Sequence, residues 1–181
     1  MISVNSRNFS FRIVKQALSL VMICLAANSC KVYSFKDVSI PPEVKTIRIG
    51  FIENRARYVD PQLSPQLTDK LKQKISNQTK LTQVSDNPDY DVSAYVAEYN
   101  VTTAGVSNQA ASINRLTVSV HLALKNRLSD QKLGTPDFET DINHNFDFPA
   151  TSNLTDAELT LTPQIVQQMT DDMFNRLFSN W

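Results

Sequence analysis

The chain has 181 residues, with 18 basic and 18 acidic side chains and no formal net charge, so it lacks the basic field that nucleic-acid binding needs. Its three glycines, Gly50, Gly105 and Gly134, are too few for a phosphate-cradling loop. The sequence holds no low-complexity tract or internal repeat, which argues against a long disordered tail.

The N-terminus reads as an export signal. Arg7, Arg12 and Lys15 make a positive start, and no acidic residue precedes Asp37. The apolar run from Ala17 to Ala27 is too short for a membrane-spanning helix, which needs about 20 apolar residues. Ala26-Ala27-Asn28-Ser29 then lead to Cys30. The other cysteine, Cys24, lies inside the apolar run and would leave with it. A lone cysteine in an exported chain points to intermolecular pairing or to modification. With small Ser29 before Cys30, the segment resembles a bacterial lipobox. The resemblance implies a signal peptide over 1–29, cleavage before Cys30 and acylation of that residue. Removing 29 of 181 residues leaves 152, enough for one cored domain. Three basic and no acidic residues leave with the peptide, so 15 basic face 18 acidic groups and the mature charge is −3.

Residues 30–44 read as the lipidated N-terminus and tether, with Pro41-Pro42 favouring extended backbone. The domain proper is expected over 45–181. Lys45 to Ile52 alternates as a half-buried strand: Ile47, Ile49 and Phe51 on one face, Thr46 and Arg48 on the other. Ser64 as N-cap and Pro65 at the first helical position open a helix. Leu67, Leu71 and Ile75 form its apolar stripe, and it fades near Gln78. Lys70, Lys72 and Lys74 flank that stripe as a solvated face or an anionic-lipid surface; the solvated face is the favoured reading.

Asp86-Asn87-Pro88-Asp89 is a turn. Tyr90 to about Val101 follows as a strand of ambiguous alternation, which suggests contacts on both faces. Ile113 to Leu128 alternates cleanly, with Leu116, Val118, Val120, Leu122 and Leu124 inward and Thr117, Ser119, His121 and Ala123 outward. Asn126 to Gly134 reads as a hairpin connection. In the next strand Phe138, Ile142, Phe146 and Phe148 face inward, while Asp137, Glu139, Asp141, Asn143 and Asn145 face out. A last helix is expected from about Pro163 to Phe178, with Thr162 as N-cap. Its stripe is Val166, Met169, Met173 and Leu177, widened by Ile165, Phe174 and Phe178.

This order predicts an α+β fold: a two-layer sandwich with a four-stranded, largely antiparallel sheet and two helices packed on one face. The other sheet face stays polar, either solvated or docked on a polar partner surface.

Signatures of catalysis are missing from the sequence. No GxSxG or HExxH motif occurs, and no mature cysteine other than Cys30 offers a nucleophile. His121 and His144 are assigned to opposite sheet faces, so they would not converge on one metal ion. Asp137, Glu139 and Asp141 point in parallel from one strand face, whereas calcium needs oxygens converging from several directions. No catalytic residue, metal site or cofactor is expected. Arg48, Arg55, Arg57 and Arg115 are the candidate contacts to an anionic glycolipid or a partner, because the planar guanidinium binds phosphate or carboxylate through two bonds. Salt bridges to the chain's own acids are the favoured alternative.

Several stretches resemble the LPS-assembly lipoprotein family LptE in its Bacteroidetes-type form. They are Cys30-Lys31-Val32-Tyr33-Ser34-Phe35, Ile40-Pro41-Pro42, Lys45-Thr46, Asn54, Ile113-Asn114-Arg115-Leu116-Thr117-Val118, and the closing Phe174-Asn175-Arg176-Leu177-Phe178-Ser179-Asn180-Trp181. The glycine often found after the opening Tyr-Ser/Thr-Phe segment is replaced here by Lys36-Asp37. The resemblance implies an outer-membrane lipoprotein on the periplasmic side or within a barrel lumen, held by its lipid. It implies a plug inside the LptD β-barrel that assists lipopolysaccharide transport and assembly, with direct lipopolysaccharide contact left open. The competing reading is a lipid-anchored periplasmic module for a soluble ligand, which a deep aromatic-lined pocket would favour.

Overall fold

The computed structural model describes residues 40–107 and 110–179. The signal peptide, Cys30 and most of the 30–44 tether lie outside the described residues. The end of that tether does not run extended. It turns at Pro42 and Glu43, Val44 N–H donates back to Pro41 C=O at 3.1 Å, and Val44 is buried.

Strand β1 (Thr46–Ile49) is shorter than its sequence pattern suggests. Ile47 and Ile49 are buried, but Phe51 is 58% exposed and Ile52 takes the inner place. The reason is one extra residue. Ile49 pairs with Val92, and β2 (Glu53–Asn54) resumes with Glu53 opposite Tyr95, so four steps on one side match three on the other. Side chains alternate with period two, so the insertion reverses which residues face inward. Ile52 N–H then donates to Thr68 Oγ1 at 3.0 Å, which ties this corner to the first helix.

Helix α1 (Leu63–Gln78) buries Leu63, Leu67, Leu71 and Ile75 completely, and each such side chain contributes about 1.5–3 kcal/mol. Ser64 is not its N-cap. The helix begins two residues earlier, after Gln62, and the Ser64 hydroxyl is buried without a partner among the described residues. Asp60 organises the entry instead, accepting from Gln62 N–H at 2.8 Å.

After α1 come β3 (Thr82–Gln83), β4 (Tyr90–Ser107), β5 (Ala110–Asn126) and β6 (Phe138–Pro149). The ambiguous alternation of β4 does not come from contacts on both faces. Val96 pairs with Val120 and Glu98 with Ser119, leaving Ala97 as an unpaired bulge. Tyr90, Val92, Ala94 and Val96 are buried before the bulge, and Tyr99 is buried after it, so the inner phase switches from even to odd. A single 3-10 turn (Gln131–Leu133) closes the connection from β5 to β6.

Helix α2 (Leu154–Phe178) starts nine residues before the Pro163 boundary expected from sequence. Its N-cap is Asn153, whose side chain accepts from Asp156 N–H at 2.9 Å. Pro163 lies inside the helix, and Thr162 is a buried helical residue whose hydroxyl donates to Asp60 at 3.2 Å. The expected stripe is intact: Ile165, Val166, Met169, Met173, Phe174, Leu177 and Phe178 are all buried.

The sheet has six strands and is mixed, which corrects the four-stranded, largely antiparallel expectation. Its order is β3-β1-β4-β5-β6, with β2 pairing β4 beyond the end of β1. β4, β5 and β6 form the expected antiparallel meander. β1 and β2 run parallel to β4, and β3 runs parallel to β1. Helix α1 carries the chain back between β1 and β3, and such a crossover makes its two strands parallel. The Asp89 carboxylate closes the return, accepting from Lys45 and Thr46 N–H at 2.8 Å each. The α+β class and the two helices are as read from the sequence. Both helices join the sheet's apolar face in one core.

Candidate partner interface: the polar face of the sheet

The period-two alternation that fills the core sends the other half of each strand to the opposite face. No helix covers that face among the described residues. Strand register arranges it as rows of complementary polar groups rather than scattered side chains.

The first row is built on Asp91. Its register partner Arg48 donates through Nε at 2.8 Å and through Nη2 at 2.6 Å. Arg127, just beyond the end of β5, donates to the same carboxylate at 3.1 and 2.8 Å. The Asp91 side chain is only 11% exposed, and the Arg48 hydrogen bonds hold its carboxyl below the usual range against the upward push of burial.

A second row runs across Tyr95, His121 and Asp141, which share one register line. The His121 ring stacks on Tyr95 at 4.9 Å, with Nδ1 2.7 Å from Asp141 Oδ1 and Nε2 3.7 Å from Glu139. The Arg55 guanidinium lies 4.3 Å above the Tyr95 ring and donates to Glu53 at 3.0 and 2.9 Å. Further along, Thr117 donates to Asn145 at 2.8 Å. Arg115 meets Asp147 through two bonds of 2.7 and 2.9 Å, which lowers the Asp147 carboxyl.

Three of the four candidate arginines therefore carry a carboxylate partner: Arg48 on Asp91, Arg55 on Glu53, Arg115 on Asp147. Arg57 is exposed and has no ionic partner among the described residues. The four do not form one cluster, since Arg48 and Arg115 stand near opposite ends of the β4–β5 ladder. His144 faces the helices, with Nε2 2.6 Å from Asp172 Oδ2, so the two histidines stand on opposite faces.

Sequence reading passed over Asp91, Tyr95 and Arg127. The bulge at Ala97 hid the phase of β4, and Arg127 falls where the strand pattern ends. A second cluster was not legible at all. Tyr58 and Tyr99 stack at 5.4 Å and donate to the two oxygens of Glu158, at 3.4 and 2.9 Å. Burial, and then the Glu158 carboxylate, push the Tyr99 phenol upward.

Grooves also mark the helical layer. One of about 700 Å³ lies between the helices, lined by Gln66, Asp69, Lys70, Gln73, Pro163, Val166 and Gln167, with no aromatic residue. That lining does not suit a small apolar ligand.

The family model LptE, described as lipopolysaccharide-assembly, matches residues 44–177. No curated protein matches the chain. Several solved structures are similar at low identity. A protein of Xanthomonas campestris is 15% identical, with 76% of this chain and 87% of that chain covered and a TM-score of 0.48. The rare lipoprotein B of Shewanella oneidensis is 12% identical, with 72% and 89% covered and a TM-score of 0.43. A lipoprotein B of Nitrosomonas europaea is 11% identical, with 76% and 92% covered and a TM-score of 0.45.

Proposed function

The chain belongs to the lipopolysaccharide-assembly family LptE, and from that premise we propose that it is a lipid-anchored plug and assembly partner of an LptD-type β-barrel in the outer membrane. The observation that carries this reading is the family match over 44–177, which spans every strand and both helices but for the last residue of α2. The bare sheet face adds physical support. Its most enclosed carboxylate, Asp91, is paired with two arginines and Asp147 with a third, so the face can sit in a hydrated lumen without leaving these charges unpaired.

Residues 1–29 serve as the signal peptide, Cys30 carries the lipid, and the remaining tether leads into the domain. More than one acyl chain makes such an anchor stable, because each buried CH₂ contributes about 0.8 kcal/mol. The role is non-enzymatic. For contact with an anionic glycolipid, or with the partner, Arg57 ranks ahead of Arg48, Arg55 and Arg115, each of which already holds a carboxylate through two bonds.

The test is mass spectrometry of what copurifies with the tagged, natively expressed chain from detergent-solubilised outer membrane. A large β-barrel in roughly equal amount is the expected result. Its absence with acylation intact would overturn the plug reading. Cys30→Ala should abolish acyl labelling, with signal cleavage assayed alongside. Labelling that persists would remove Cys30 as the anchor.

A further inference from the structure

The two edges of the sheet are built differently. β3 is two residues long, too short to template another strand. β6 is twelve residues long and pairs with β5 without a register shift. It has no lysine and no proline before its last residue. Long, regular edges are normally blunted by bulges, prolines or charge, and β6 has only charge.

Much of that charge is already spent. β6 carries Glu139, Asp141 and Asp147 and no lysine or arginine. Asp147 is held by Arg115 and Asp141 by His121, both across the pair with β5. Glu139, with only a distant approach to His121, remains the least compensated charge at the edge.

The hydrogen-bond phase shows what the edge offers. Ala150 N–H donates to Ser112 C=O at 3.2 Å, so even-numbered residues of β6 exchange backbone bonds with β5. The N–H and C=O groups of Glu139, Asp141, Asn143, Asn145 and Asp147 therefore point to the open side. None of these five N–H groups has a side-chain acceptor among the described residues. A groove of about 510 Å³ runs beside this stretch, lined by Asp141, Ile142, Asn143, Asp172, Asn175 and Arg176.

We infer that the open edge of β6 is a docking site for an extended segment of the partner polypeptide, which adds to the sheet as a further strand. The segment carries Lys or Arg on the side of the polar face, matching Glu139, the acid of the strand that lacks a close partner. A second copy of this chain is disfavoured in the register of longest overlap. Antiparallel self-pairing centred on Asn143 sets Glu139 opposite Asp147 twice, and like charges directly opposite are destabilising. The inference rests on the barrel partnership proposed above, and it assigns the contact to a loop or luminal segment, because strands of a closed barrel wall have no free edge.

The experiment coexpresses the full chain with the LptD-type barrel of the same organism and purifies through a tag on this chain. Asn143→Pro removes an outward N–H and places a ring on the open edge, while the bonds to β5 stay intact. Asn143→Thr keeps the N–H. The expected result is at least about a tenfold loss of barrel with Asn143→Pro and wild-type recovery with Asn143→Thr, a difference of about 1.4 kcal/mol. Amide exchange on the wild-type chain gives a readout that needs no variant. Residues 139, 141, 143, 145 and 147 should exchange quickly alone and be protected in the complex. A folded Asn143→Pro that keeps its barrel, or exchange unchanged by the complex, sinks the edge site and leaves the partnership standing. A wild-type chain that brings down no barrel sinks both.

Discussion

Arg48 and Asp91 stand opposite each other on the parallel pair β1–β4, and the guanidinium closes on both carboxylate oxygens, at 2.8 and 2.6 Å. Asp91 is nearly enclosed while Arg48 reaches solvent, with side-chain exposures of 11% and 44%. Arg127 completes the site from the end of β5. One carboxylate thus joins β1, β4 and the end of β5 on a face that no helix supports among the described residues.

Asp91→Asn should lower stability by about 1–2 kcal/mol, the scale of hydrogen bonds to a charged group, discounted because both arginines remain hydrated. The midpoint of urea unfolding measures it. A midpoint equal to wild type would mean that the row contributes order but no net energy.

Acid should weaken the fold through the same residue. The Arg48 bonds depress the Asp91 carboxyl. Burial pushes Asp89 upward, but the backbone N–H groups of Lys45 and Thr46 outweigh it and leave that carboxyl lowered as well. A depressed carboxyl stabilises the fold above its unfolded value, near pH 3.9, and that contribution is lost as pH falls through the folded value. The melting temperature should therefore hold above about pH 5 and fall below about pH 4. Asp91→Asn should show a shallower fall; an unchanged slope would assign the acid sensitivity elsewhere.

The start of α2 gives a sharper contrast. Asn153→Ala removes the cap bond to Asp156 N–H and should cost about 1 kcal/mol. It should also fray residues 154–160, seen as faster amide exchange. Thr162→Ala removes only the bond to Asp60 and should leave those amides protected. The reverse pattern would return the helix start to Pro163.

Gly134 is required for close approach rather than for an unusual backbone angle. A Cβ there would lie 2.6 Å from Asn126 Nδ2 and 2.9 Å from the Tyr90 hydroxyl. Both neighbours are engaged, Asn126 donating to Gln131 C=O at 3.0 Å and Tyr90 accepting from Thr135 N–H at 2.6 Å. Gly134→Ala should cost about 1–3 kcal/mol by overpacking, read from thermal unfolding. A neutral result would show that the β5–β6 connection yields easily.

Much of the fold was written in local pattern. The stripes Leu67-Leu71-Ile75 and Val166-Met169-Met173-Leu177, and the inner faces of β5 and β6, are buried where their periodicity placed them, except for Phe138, which is half-buried at the start of β6. Of the candidate arginines, sequence put Arg48 on the polar face, but could not pair it with Asp91, which lies 43 residues away. The polar face itself was legible, because alternation that fills one side of a strand must populate the other.

Sequence alone determined which residues are inside for every unbroken helical or strand phase, along with the meander of β4, β5 and β6. The tertiary structure decided the rest for two physical reasons. A single inserted residue, between Ile49 and Glu53 or at Ala97, reverses a period-two pattern, and only the partner strand shows that it is there. Strand direction and order follow from how α1 crosses between β1 and β3, a packing outcome that no local window contains. Pro163 teaches the same lesson for helices: a favourable starting residue was overridden because residues 154–162 could extend the helix, cap it at Asn153, and bury Ala157 and Leu161 in the core.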